Sequence, residues 1–291
     1  MTVWGGLVRT ARPQQWTKNI LVLVAPAAAG VLLQPERLAA ALTAGAAFCL
    51  ASSGVYFIND VRDVRADRLH PQKCRRPVAA GVVPVPTALA AGVILLLCAL
   101  GVSAAVSSAL VLVLLTYEVV QVTYCLGLKD QPVLELVSVA SGFLLRAVAG
   151  GVAVAVPLSP WFLVTAGFGS LFMAAGKRYA EAQLVGRTGL AVRPVLRHYT
   201  LTYLRFVWTL AAGVLVTTYS LWAFSVHDLS DREQSTWNVV SIIPFVTAVL
   251  RYAVNVDSGE AGEPEQIALH DRVLLLLGVL WAAALGASVY G

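Results

Sequence analysis

Charge is scarce in this sequence. Only 13% of its 291 residues are Asp, Glu, Lys or Arg, about half the roughly 25% of an ordinary soluble domain. Hydrophobic residues make up 58%, and the mean hydropathy is +0.75. That balance excludes a water-soluble globular domain and points to an integral membrane protein. Cysteine is also sparse. Cys49, Cys98 and Cys125 lie in apolar runs and Cys74 in a charged one; without paired spacing they read as reduced thiols, with no disulfide and no zinc site. The four histidines, His70, His198, His227 and His270, are scattered, so they read as structural or surface groups. No cleavable leader is expected, because residues 1–18 carry charges and two tryptophans and no small-residue cleavage site follows a short apolar run. No short repeat and no low-complexity tail is visible. The net charge of +5 does not call for nucleic acid, since cations in so apolar a chain set its orientation.

What the sequence has in quantity is long apolar runs. A helix needs about 20 apolar residues to cross the hydrocarbon. Nine candidates fit, at roughly 17–33, 38–58, 86–104, 106–125, 133–153, 160–180, 200–224, 236–255 and 270–290. The expected fold is an all-α integral membrane bundle of nine transmembrane helices, a single domain over 1–291. With nine spans, one side receives Arg9, Arg12, Lys18, the six cations of 62–76, Lys129, Lys177, Arg178, Arg187, Arg193, Arg197, Arg205, Arg251 and Arg272, and the other only Arg37 and Arg232. That bias places the N-terminus in the cytoplasm and the C-terminus outside. Arg146 falls inside span five.

Against this background, residues 57–78 read FINDVRDVRADRLHPQKCRRPV. Asp60, Asp63 and Asp67 stand at i, i+3 and i+7, and Asn59, Asp63 and Asp67 at i, i+4 and i+8, so a helix places them along one face. Carboxylates and an amide oxygen are hard ligands that suit magnesium, which binds through one or two carboxylates plus substrate phosphates. Lys73, Arg75 and Arg76, between Pro71 and Pro77, form a basic turn fit for phosphate oxygens. A magnesium-chelated diphosphate is the expected ligand of Asn59, Asp60, Asp63 and Asp67, at the mouth of the bundle. A solvated loop of orienting charges is the plainer alternative.

At these residues the chain resembles the UbiA-type membrane prenyltransferase superfamily. NDVRDVRADRLHPQKCRRPVAAG is similar to its first aspartate motif and the Arg-Pro segment after it, and YCLGLK, Tyr124 to Lys129, to its Tyr-x-x-x-Lys element. Most members carry a second Asp-x-x-x-Asp motif after span six. Here that place reads GKRYAEAQLVG, with Lys177, Arg178 and Glu181 and no aspartate. This departure, with ARPQQWTKNILVLVAP, LLRAVAGGVAV and LRYAVNVDSGEAGEPE, is similar to the decaprenyl-phosphate phosphoribosyltransferase branch. The resemblance implies 5-phosphoribosyl-1-diphosphate as donor, a polyprenyl monophosphate as acceptor, Mg2+ as cofactor, and a product that feeds arabinan synthesis in the cell wall. It also implies a multi-pass protein of the plasma membrane working at the cytoplasmic face among membrane lipid; a homo-oligomer is compatible with it. The alternative within the superfamily is a prenyl diphosphate donor and an aromatic acceptor. A transporter or non-catalytic lipid-binding protein is the reading from another class, and the acids clustered at one membrane face speak against it.

On this reading Lys73, Arg76, Lys177 and Arg178 meet donor phosphates, and Glu181 either pairs with Lys177 or touches the ribose hydroxyls. Lys18, Tyr124 and Lys129 are candidates for the lipid phosphate, with Arg12 and Trp16 beside Lys18 as an interfacial anchor. Arg146 is either a lipid-phosphate ligand or a structural partner of Glu135 or of backbone carbonyls, because a cation at that depth calls for an explanation. Arg251, Asp257 or Glu263 would cap the donor.

Overall fold

The computed structural model describes residues 2–188, 194–229, 232–259, 267 and 270–290, without the side chains of 187–188, 226–229 and 232–235. Arg193 and Glu263 lie outside the described residues, as do the side chains of Arg187, His227 and Arg232. No strand occurs among the described residues. Seven described helices are long and apolar enough to cross a membrane: Pro35–Arg62, Val85–Ala104, Ser108–Leu126, Leu134–Ala153, Leu201–Ser225, Thr236–Asp257 and Arg272–Tyr290. They coincide with seven of the nine expected spans. The other two differ for separate reasons. The run at 160–180 is helical, within Pro160–Thr188, but small and polar residues dilute its hydropathy. The run at 17–33 is no continuous α-helix. It falls on an 11-residue 3-10 helix, Pro13–Leu23, followed by one short α-helical stretch, Val24–Ala28.

The chain divides into two compact units. The first comprises Met1–Lys129 and Leu145–Pro157, the second Asp130–Leu144 and Leu158–Gly291. Helix α7, Leu134–Ala153, therefore contributes its first half to the second unit and its remainder to the first.

The first unit opens with α1, Val3–Ala11, whose cap Arg12 takes a left-handed conformation, φ 54°. Pro13 follows, and the residue before a proline is pushed out of the right-handed helical region, so the helix stops there. The 3-10 helix and α2 (Val24–Ala28) lead into α3, Pro35–Arg62, which starts with proline in its first turn and Glu36 near its N-terminus. Asp63 ends α3 with φ −91° and ψ 2°, and α4, Val64–Leu69, resumes at once. The bonds Asp63 N to Asn59 O (2.9 Å) and Asp67 N to Asp63 O (2.8 Å) carry helical spacing across the break. Helix α5, Val85–Ala104, follows Pro84, and α6, Ser108–Leu126, is capped by the Ser107 hydroxyl on Leu110 N at 3.1 Å.

Helix α3 packs along α5, α6 and the 3-10 helix. Its approach to α5 is close because Gly54 faces Gly92: a Cβ on Gly54 would lie 2.9 Å from the Gly92 carbonyl oxygen. Gly54→Val is expected to destabilise the protein by about 1–3 kcal/mol through overpacking, read as a lower melting temperature in detergent. An unchanged transition would show that α3 and α5 can part freely.

The second unit holds α8 (Pro160–Thr188), α9 (Leu201–Leu229), α10 (Arg232–Val240), α11 (Ile242–Asp257) and α12 (Arg272–Tyr290). Helix α8 packs along α9, and α11 along α12. Aromatic rings fill the core: Phe172 meets Tyr252 edge-on at 5.5 Å, and Tyr179 meets Trp208 at 6.1 Å. Asp271 caps α12, its Oδ1 accepting from Val273 N and Leu274 N while its Oδ2 takes Arg251 Nε at 2.8 Å. Burial works to raise this carboxyl, and the hydrogen bonds from Arg251, Asn255, Leu274 and Val273 outweigh it, so its pKa sits below the usual value.

Candidate active site

In the first unit the acidic segment runs through the break at Asp63, and each of its three carboxylates meets a cation. Asp60, only 2% exposed, accepts on Oδ1 from Arg12 Nη2 at 2.6 Å and Arg76 Nη1 at 3.2 Å, with the Asn59 amide nitrogen at 3.5 Å. The same Arg76 nitrogen donates to Asp67 Oδ2 at 2.7 Å. Lys129, in the short 3-10 turn after α6, donates to Asp63 Oδ1. Three elements thus bring cations to the acids: the α1 cap, the turn after α4, and the turn after α6. Arg76 reaches them because the 3-10 turn Lys73–Arg75 ends on it in an extended conformation before Pro77.

The donor set is all oxygen: three carboxylates and one amide. Asp60 Oδ1 and Asp67 Oδ2 converge on one guanidinium nitrogen, Arg76 Nη1, so their oxygens already share one positively charged partner. That arrangement fits a divalent ion bound through one or two carboxylates and completed by substrate phosphate oxygens. Asp63 is directed to Lys129 instead, and among the described residues no three His, Cys, Asp or Glu side chains form a metal-binding group. The expected face of Asn59, Asp60, Asp63 and Asp67 is therefore present as a pair, Asp60 and Asp67, with the other two at its side.

Lys73 is half-buried in its 3-10 turn, Tyr124 half-buried in the last turn of α6, and Lys18 half-buried on the Pro13–Leu23 segment. Arg146 is buried, 6% exposed. Its Nε donates to Asn19 Oδ1 at 2.7 Å and its Nη2 to the Tyr117 hydroxyl at 3.1 Å. Its guanidinium carbon also stands 5.0 Å and 5.5 Å from the Tyr117 and Phe48 ring centres.

The second unit contains its own charged cluster. Arg178 is buried, with Nε 3.0 Å and 2.9 Å from the two oxygens of fully buried Glu135 and Nη1 2.8 Å from Glu181 Oε2. Glu135, one of the structural partners weighed for Arg146, is held by Arg178. Glu181 takes Arg178 three residues before it, and Lys177 lies half-buried beside them. Arg205 Nη2 donates to the Tyr179 hydroxyl (2.6 Å) and to Asp257 Oδ1 (2.8 Å), and Arg251 holds Asp271. Tyr199 accepts from Val133 N at 2.7 Å, which secures a valine with φ 67°; burial pushes the phenol up to about 12.

Two groups escaped the sequence reading. Arg12 reads from the sequence as an interfacial anchor, and no local signal ties it to Asp60, 48 positions away. Glu118, buried on α6, has an Oε1 with no hydrogen-bond partner among the described residues. The signal for Glu118 was available: it is the only acid in the run 106–125.

With this geometry in place, comparison with known proteins is direct. Residues 20–270 match the UbiA prenyltransferase family. The chain is 52% identical to a decaprenyl-phosphate phosphoribosyltransferase of Mycolicibacterium smegmatis, over 98% of this chain and 92% of that protein. It is 53% identical to the protein of that name from Mycobacterium tuberculosis, over 98% and 94%. Among solved structures, a UbiA homolog from Archaeoglobus fulgidus bound to GPP and Mg2+ superposes with a TM-score of 0.69 at 18% identity, covering 97% of this chain and 98% of the other.

Proposed function

The chain belongs to the UbiA prenyltransferase family, and from that premise we propose that it transfers the 5-phosphoribosyl group of 5-phosphoribosyl-1-diphosphate to a polyprenyl monophosphate. The observation that carries this reading is the match at about half identity along nearly the whole length of relatives bearing the phosphoribosyltransferase name. Decaprenyl phosphate is the acceptor those names indicate, and the product would serve cell-wall arabinan. The aspartate cluster and its cations work at the cytoplasmic face of the plasma membrane, with the N-terminus on the same side. The seven long apolar helices, the Pro160–Thr188 helix and the N-terminal apolar stretch together make nine crossings.

Asp60 and Asp67, with Asn59 and Asp63 beside them, would hold magnesium, which when bound would supply neutralisation of the departing diphosphate. The protein's own groups do the rest. Arg12, Arg76 and Lys129 present guanidinium and ammonium donors that pass from carboxylate to phosphate oxygens, Arg doing so through two N–H groups at once. The bond from the anomeric carbon to the diphosphate oxygen breaks, and its electron pair leaves with the diphosphate. A lipid phosphate oxygen attacks the same carbon from the opposite face and inverts it. No general base is needed, since a phosphate monoester with a second pKa of about 6 is already largely dianionic at neutral pH.

The test is product identification by mass spectrometry, with purified protein, Mg2+ and decaprenyl phosphate. Phosphoribosyl diphosphate is expected to give a phosphoribosyl-lipid and free diphosphate. Diphosphate release only from a prenyl diphosphate, with an aromatic acceptor, would overturn the assignment.

A further inference from the structure

The segment Pro13–Leu23 is an unusual object. It holds 3-10 geometry for 11 residues, whereas runs beyond three or four are uncommon because the hydrogen bonds are poorer. Few of its side chains are buried, only Asn19 and Val22. Such a stretch does not keep its shape by itself, yet it directly follows Arg12, which touches Asp60.

Two sets of contacts hold it. Toward its start, the Trp16 indole N–H donates to Ser53 Oγ at 3.1 Å, and the Ser53 hydroxyl donates to the Ala11 carbonyl at 3.0 Å. Toward its end, Asn19 takes Arg146 on its oxygen and places its amide nitrogen 3.1 Å from the Cys49 sulfur. One turn further along α7, Gly150 receives the Val22 backbone, and a Cβ there would run into the Val22 carbonyl oxygen. Arg146 and Gly150 stand at i and i+4, hence on one face of α7. Arg12 and its neighbours are therefore fixed from both sides.

We propose that Arg146 is a positioning residue: it anchors the 3-10 segment to α7 through Asn19 and so sets Arg12 on Asp60. It does not bind lipid phosphate. Its Nε and Nη2 are committed to Asn19 and Tyr117, with the Tyr117 and Phe48 rings close by. A cation is suited to the task because it donates to two acceptors and lies against two ring faces at once. The intramembrane charge then serves the geometry of the diphosphate site from a distance.

The kinetic part of this inference rests on the proposed reaction, so the decisive measurement is chosen to be independent of it. Hydrogen–deuterium exchange on the full-length protein in detergent, comparing Asn19→Ala and Arg146→Gln with the unaltered protein, is expected to show faster uptake across residues 13–23. The helices α5 and α6 should change little. In the transfer assay both variants should lose about 10²-fold in kcat/KM for the donor, the scale expected from small misplacement by a remote change. Their double variant should lose little more, because both cut one link. Arg146→Lys should recover part of the loss. Asn19→Ala leaves the intramembrane charge in place, so it decides the matter even where Arg146→Gln fails to fold. Unchanged exchange in 13–23, or a rise confined to the lipid acceptor's KM, would overturn the proposal. Faster exchange in a protein that transfers no phosphoribosyl group would leave it standing and sink the reaction assignment instead.

Discussion

Asp67→Ala is expected to lower turnover by about 10³-fold, the upper end of what one preorganised electrostatic group contributes, while the protein still folds. The argument turns on Arg76. Its Nη1 bridges Asp60 and Asp67, so losing Asp67 leaves the guanidinium paired with Asp60 and no buried cation without a partner. Removing Asp60 would be less clean, since Arg12 and Arg76 both depend on it. The assay is steady-state transfer from phosphoribosyl diphosphate at saturating magnesium, with the melting curve as a control. Turnover within threefold of the unaltered protein would show that the Asp60–Asp67 pair is not the diphosphate site.

Arg178→Met is expected to produce the largest loss of stability, about 3–5 kcal/mol, because breaking a buried ion pair strands the remaining charge. Glu135 is the stranded group. Both its oxygens lie within 3.0 Å of Arg178 Nε, and only 1% of its side chain is exposed. Glu181 is nearly as enclosed, with 12% of its side chain exposed. Adding Glu135→Leu should restore most of the loss, since replacing both members of such a pair by apolar groups is often neutral. Denaturation in detergent reads both. A variant that melts normally but transfers poorly would give Arg178 back the donor-binding role its place in GKRYAE suggested.

The sequence was most legible where physics is local. Apolar runs of membrane-spanning length appear as helices at 38–58, 86–104, 106–125, 133–153, 200–224, 236–255 and 270–290, because a bilayer leaves few alternatives to an α-helix. Acid spacing brought Asp60 and Asp67 together, since helical backbone bonds persist through the break at Asp63. Pairings between distant positions were not legible. Arg146 meets Asn19 across 127 residues and Arg178 meets Glu135 across 43, and no periodicity in either segment marks its partner. At 17–33 the helix type was not legible, because hydropathy reports what a segment can be buried in and not which helix it forms. Pro13 and Pro26 each lack an N–H donor, and the structure there is short and irregular.

The left-handed Arg12 backbone and the two turns bearing Arg76 and Lys129 bring a base to each of three acids. Each carboxylate of this patch is already engaged by a protein cation, so a bare metal ion entering it would have to displace an arginine or a lysine. A guest that carries both charges could instead offer each side of an ion pair a new partner. In rising salt the more exposed Asp63–Lys129 pair should loosen before the pairs made by buried Asp60 and Asp67.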